Sequence, residues 1–163
     1  MSLKNLNPLI IIFVVLFFLF PNCFASSVDS EDAVAFASFI RDLANTTQVK
    51  HSGVFCSIGD DEILKVMAIQ DKALINLDHD PAKLSSCKFI YVSQNKRKSF
   101  KSEIDKFKKS KILTIAVFDG FTESGGMIQV QMGRRNFELV VNMKEVKEAG
   151  IRLNSLVSDL IIN

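Results

Sequence analysis

The stretch Phe118-Asp119-Gly120-Phe121-Thr122-Glu123-Ser124-Gly125-Gly126-Met127-Ile128, running on through the hairpin pattern to Val140-Val141-Asn142, decides the fold. The Gly125-Gly126 pair lets the chain turn sharply, because glycine reaches positive φ without a steric penalty. Alternation follows. Ile128, Val130 and Met132 point one way, and Gln129 and Gln131 the other. After Gly133-Arg134 the pattern resumes with Phe137, Leu139 and Val141. Two alternating runs around a short glycine-containing break predict an antiparallel hairpin with one buried face.

Upstream the pattern changes. Gly53 to Ile58, Ala73 to Leu77, Cys87 to Ser93 and Lys111 to Val117 read as strands. Between them Glu62 to Ile69 and Arg97 to Lys109 read as helices, the second with Phe100, Ile104 and Phe107 at helical spacing. Strands separated by helical segments predict parallel pairing through crossovers. The expected class is α/β, a mixed central β-sheet with a parallel N-terminal part, a C-terminal antiparallel hairpin and flanking helices. A helix opens the domain at Asp29-Ser30, with Val34, Phe36, Ala37, Ile40 and Leu43 as its stripe, and Asn45-Thr46-Thr47 ends it. Met143 to Ala149 is a short helix stopped by Gly150, and a last helix starts at Asn154 or Ser155, carrying Leu156, Val157, Leu160 and Ile161.

The N-terminus is of another kind. Lys4 precedes an unbroken apolar run of 12 residues, Leu9 to Phe20, and Cys23 and Ala25 follow as small residues. This describes a cleavable secretory signal over residues 1–25. The run falls short of the roughly 20 apolar residues a membrane span needs. Residues 26–163 then form a single exported domain, large enough to bury a core without staples. Its formal charge is close to zero, which excludes the electrostatic footprint of a nucleic-acid binder. Two cysteines remain, Cys56 and Cys87. An even count in an exported chain favours a disulfide, with two buried thiols on strands as the alternative.

Residues capable of chemistry are sparse. Asp60-Asp61 follows the first strand, where an acid pair can bind Mg²⁺, yet the stretch Ser93-Gln94-Asn95 lacks the third acid such a site needs. A turn and helix start is the simpler reading. Asp78-His79-Asp80 has no metal-ligand spacing to His51 and reads as a turn before Pro81. No nucleophile has a base beside it in the pattern, so no catalytic residue is assigned and the chain is read as a non-enzyme without cofactor or metal. Gly125-Gly126 would suit a phosphate if a helix followed, but alternation follows instead. Lys96 to Lys111 carries eight basic residues against Glu103 and Asp105. That is the pattern of a solvated helix face, or of a surface meeting an acidic protein or anionic lipid.

Taken together, Phe121, Gly125-Gly126-Met127-Ile128, the hairpin ending at Asn142, and Ala149-Gly150-Ile151-Arg152-Leu153-Asn154-Ser155 resemble the C-terminal half of the YfiR-like proteins. The resemblance implies an exported α/β domain of Gram-negative bacteria that acts by protein contact. It would bind and restrain a membrane-bound signalling protein in the periplasm, a diguanylate cyclase or a kinase. It marks Phe121, Gly125, Gly126, Met127, Ile128, Asn142, Gly150 and Ser155 as the family motif. It also makes Cys56 and Cys87 look like a pair that is disulfide-linked in the family, and it is compatible with a homodimer. A further cysteine pair known in the family has no counterpart here, Gly126 and Val130 standing in that region. The alternative is a periplasmic small-ligand domain, with a pocket at the strand ends near Gly59 and Phe118–Met127.

Overall fold

The computed structural model describes residues 30–47, 53–133, 136–154, 157, 160 and 161. The expected secretory signal, His51 and Ser155 lie outside them. Among the described residues no helix is long and apolar enough to cross a membrane.

Helix α1 (Ser30–Thr46) leads to β1 (Val54–Ile58), α2 (Glu62–Gln70), β2 (Ile75–Asn76) and β3 (Cys87–Val92). Then come α3 (Phe100–Ser110), β4 (Leu113–Ala116), β5 (Ile128–Met132), β6 (Phe137–Val141) and α4 (Met143–Glu148). The strands form one sheet in the order β2-β1-β3-β4-β5-β6, parallel except for the antiparallel β5–β6 pair. The α/β class and the hairpin therefore stand as the sequence pattern predicts.

Alternating side chains divide the core in two. Phe89, Tyr91, Leu113, Ile115, Ile128 and Val130 pack under α1 and α2. Cys56, Ile58, Ile90, Val92 and Ala116 pack under α3 through Phe100, Ile104 and Phe107. A parallel sheet covered on both faces buries near-continuous apolar strands, and β3 and β4 are buried almost throughout. Phe137 joins the first core by stacking on Phe39, with ring centroids 4.4 Å apart.

Four details depart from the sequence pattern. The hairpin does not have one buried face: Gln129 is 5% exposed, while Met132, at the far end of β5, is 49% exposed. The Phe118–Gly126 connection runs across the α3 side of the sheet and covers Gln129, whereas the apolar cover ends before Met132. Strand β2 is two residues long, because Asp71 caps the turn at Ala73 N (2.9 Å) and Asn76 Oδ1 accepts from Asp78 N (2.9 Å). Helix α3 begins at Phe100, after a 3-10 turn over Gln94–Lys96. The chain end does not continue as a helix through Ile161. Leu160 O accepts from Leu139 N at 2.8 Å and Ile161 bridges to Leu139, so this segment covers the open edge of β6.

Candidate functional site

The order β2-β1-β3 reverses direction between β1 and β3, and ligands of open α/β sheets bind beyond the carboxyl ends of strands at such a point. Here that crevice is closed by its own side chains. Gly59 takes φ +90, and a Cβ on it would meet Asn95 Oδ1 at 2.3 Å and Ser93 Cβ at 2.8 Å. Asp78 accepts from Gly59 N and from Lys96 Nζ, each at 2.8 Å, and Asn76 Nδ2 donates to Gly59 O. Burial works to raise the Asp78 carboxyl, but the Lys96 and Gly59 hydrogen bonds, with the Lys96 and His79 charges, outweigh it and hold the group below its ordinary range.

Asp61 is the second node of this end. One carboxylate oxygen caps α2 at Leu64 N (2.8 Å), and the other accepts from Tyr91 Oη and Gln94 N, each at 2.9 Å. Burial pushes the Tyr91 phenol well above its ordinary value, and the Asp61 charge and hydrogen bond add to that. The Asp60-Asp61 pair is thus a helix start. Asp61 spends its acceptors on the protein and holds no open face for a cation. Asp80 pairs with Lys83 at 2.9 Å. Among the described residues no group of His, Cys, Asp and Glu is placed to hold a metal.

The opposite end of the sheet gathers most of the motif. Register places Ile128 beside Ile115 in parallel, so Met127 lies at the amino end of β5 alongside Thr114. Gly59 and Met127 therefore stand toward opposite ends of the sheet, with Phe118, just beyond the carboxyl end of β4, on the Gly59 side. Met127 N donates to Thr114 Oγ1 (3.1 Å), and Phe121 N donates to Gln129 Oε1 (3.2 Å). Gly126 N donates to Phe121 O (2.9 Å) and Gly125 N to Thr122 O (3.0 Å), so neither amide is left for a phosphate. Gly126 has to be glycine: a Cβ there would meet the Phe121 ring at 2.3–2.5 Å. Phe121 itself is fully buried and packs on Phe100, centroids 4.6 Å apart, and on Phe118.

Asn142 ties this connection to α4. Its N–H donates to Met127 O (2.9 Å), its Nδ2 to Thr122 O (3.1 Å), and its Oδ1 caps Glu145 N (3.3 Å). Gly150, at φ +70, ends α4 as a left-handed cap. Lys108, near the end of α3, reaches over Gly125 to Glu145 Oε1 at 2.7 Å. Lys108, Met127, Glu145, Glu148 and Ala149 line a cavity of ≈ 180 Å³. Its polar groups are one ammonium and two carboxylates, with Lys108 and Glu145 already paired to each other, so it offers ion pairing and apolar contact. Typical ligand pockets run to about 300–1,000 Å³, and this one is smaller.

Phe121, Gly125, Gly126, Met127, Ile128 and Asn142 are thus brought into one structural unit, with Gly150 closing the neighbouring helix. Cys56 and Cys87 lie elsewhere, joined as a disulfide between β1 and β3 beneath the α3 face, with both residues fully buried. Sequence reading missed Lys108, Glu145, Thr114 and Gln129. Nothing local pairs positions 37 residues apart, although an acid at the third position of a short helix after Asn142 is a capping signal.

Comparison with known proteins places this geometry. None of the curated proteins is significantly similar to the chain. Solved structures share the fold. A conserved domain protein from Vibrio cholerae O1 biovar El Tor matches with a TM-score of 0.60 at 10% identity, over 79% of this chain and 58% of its own. An ABC domain from Streptococcus pneumonia, solved in complex with L-Trp, matches with a TM-score of 0.53 at 12% identity, over 80% of this chain and 60% of its own. The chain thus spans about three fifths of the length of both, and at these identities the likeness is one of fold. The sequence profile described as DUF4154, YfiR/HmsC-like, matches residues 32–160, which include both cysteines, the whole sheet and the unit around Asn142. The chain belongs to the YfiR/HmsC-like family.

Proposed function

We propose that this protein is a periplasmic regulator that binds the periplasmic domain of an inner-membrane signalling protein, such as a diguanylate cyclase or a kinase, and holds it in one state. Family membership over residues 32–160 carries this reading. The Cys56–Cys87 disulfide supports it, since such a bridge persists in oxidising compartments. The N-terminal signal pattern agrees, with cleavage after Ala25 and residues 26–163 as the exported domain. A regulator of this kind works by differential affinity: it shifts its partner only as far as it binds one state better than the other. No catalysis is required of it.

The docking face in this reading is the unit built on Asn142. Glu123 on the connection and Met143 on α4 are exposed there, with Met143 at 42%. The test is cellular. Deleting the gene raises cyclic di-GMP, and restoring the exported chain lowers it. A chain carrying Met143→Asp is exported and folded but does not lower it. Unchanged cyclic di-GMP on deletion contradicts a cyclase as partner.

A further inference from the structure

The face of α3 turned away from the core carries charge that the fold leaves uncompensated. Of the cations between Lys96 and Lys111, Lys96 pairs with Asp78 (2.8 Å) and Lys108 with Glu145 (2.7 Å). Arg97, Lys98, Lys101, Lys106, Lys109 and Lys111 are all exposed, and none has an ion-pair partner among the described residues. The segment's own carboxylates are Glu103, half-buried, and Asp105, exposed. The other side of the sheet is covered by α1, where exposed Glu31, Asp32 and Asp42 outnumber the half-buried Arg41, and by α2, whose Glu62 and Lys65 pair with each other. The domain is therefore electrically polarised across the sheet.

We propose that the α3 ridge adsorbs to an anionic phospholipid surface. Composition separates this from docking on an acidic protein. Protein interfaces centre on aromatic, Met or Arg anchors and are depleted in Lys. This ridge has five exposed lysines and one arginine, and none of the exposed large hydrophobic residues, Val34, Ile69, Met132 and Met143, lies within it. Phe100, Ile104 and Phe107 are committed to the core, so the helix has no apolar face left to insert. What remains is long cationic side chains, Lys101, Lys106 and Lys109 on a helix of 11 residues, about 16 Å, with Arg97, Lys98 and Lys111 flanking it. That arrangement suits a diffuse sheet of phosphates. The acid-bearing α1 side adds a dipole that turns α3 toward such a surface. Adsorption of this kind confines the protein near the membrane without fixing its register, and it does not depend on which protein it regulates.

The test is co-sedimentation of the purified protein with vesicles of phosphatidylcholine alone, or half phosphatidylglycerol, at low and high salt. The proposal expects binding to the anionic vesicles only, lost when salt shortens the screening length. Each cation near such a surface contributes roughly fivefold in affinity, so Lys101→Gln, Lys106→Gln and Lys109→Gln together weaken binding by about 100-fold. Asp105→Asn removes an exposed, unpaired carboxylate from the middle of the ridge and strengthens binding several-fold. Equal binding to both vesicle types, or anionic binding that neither variant changes, overturns the proposal. So does the absence of any binding to the anionic vesicles at low salt.

Discussion

Lys108 Nζ lies 2.7 Å from Glu145 Oε1 and joins the end of α3 to the first turn of α4 across the Gly125 backbone. The two partners are not equally placed. Lys108 is 33% exposed and Glu145 only 11%. Removing the lysine strands a nearly buried carboxylate, whereas removing the carboxylate frees a lysine that can swing into water. Lys108→Met should therefore cost more stability than Glu145→Gln, roughly 2 against 1 kcal/mol, between the values for surface and buried pairs. Urea denaturation of both single variants and the double variant measures the coupling. Equal costs would show that the pair is solvated.

The Phe121–Gly126 contact gives a second prediction. Gly126→Ala forces a methyl into the ring of a fully buried phenylalanine, at a cost of about 1–3 kcal/mol or more as overpacking. Gly120→Ala is the comparison. Its φ of +80 strains alanine, but the nearest atom beyond its chain neighbours, on the Glu123 carboxylate, is 3.8 Å away, so the cost stays near 1 kcal/mol. Thermal melts should rank Gly126→Ala well below Gly120→Ala.

The Cys56–Cys87 bridge closes a sequence separation of 31 residues, worth about 3–4 kcal/mol in the chain-entropy account. Cys56→Ser and Cys87→Ser should each lower the melting temperature by a large step and weaken regulation in the cell. Because both residues are fully buried, a reductant acts only after the strands open, so reduction in native buffer should be slow and should accelerate in mild urea. An identical melting curve with and without reductant in the unfolding range rules out a stabilising role.

Acid should loosen the Gly59 end. Folding holds the Asp78 carboxyl below its ordinary range, so the unfolded chain takes up the proton first and protonation favours unfolding. The contribution is present above the ordinary aspartate range and is lost as pH falls through the lowered folded value. Asp78 is about a third exposed, which keeps the effect under about 1 kcal/mol. Asp78→Asn should flatten that part of the stability–pH curve, and Lys96→Met should do the same by removing the partner. An unchanged acid limb in both variants would show that the carboxyl titrates alike in the two states.

Much of this was legible in the chain. Alternation from Ile128 to Val141 reads as a hairpin and forms one, and Phe100, Ile104 and Phe107 at helical spacing bury one side of α3. The limits have physical causes. Gln129 is polar and sits where alternation assigns solvent, yet the connection through Phe121 passes over it and supplies a hydrogen-bond partner. Crossings of this kind leave no period in the sequence. Asp61 reads locally as a helix cap, which it is, but its bonds to Tyr91 and Gln94 come from β3 and the turn after it, some 30 residues on. The motif Gly125-Gly126-Met127-Ile128 and Asn142 reads as a set, and only the register of β4 with β5 shows that it stands at the end of the sheet away from Gly59.

The most direct measurement is affinity capture of the tagged, exported protein from detergent-solubilised envelopes after mild crosslinking, with mass spectrometry of the bound proteins. The account predicts an inner-membrane cyclase or sensor kinase, recovered with the unaltered chain and lost with Met143→Asp. Recovery of nothing beyond further copies of the chain would contradict it.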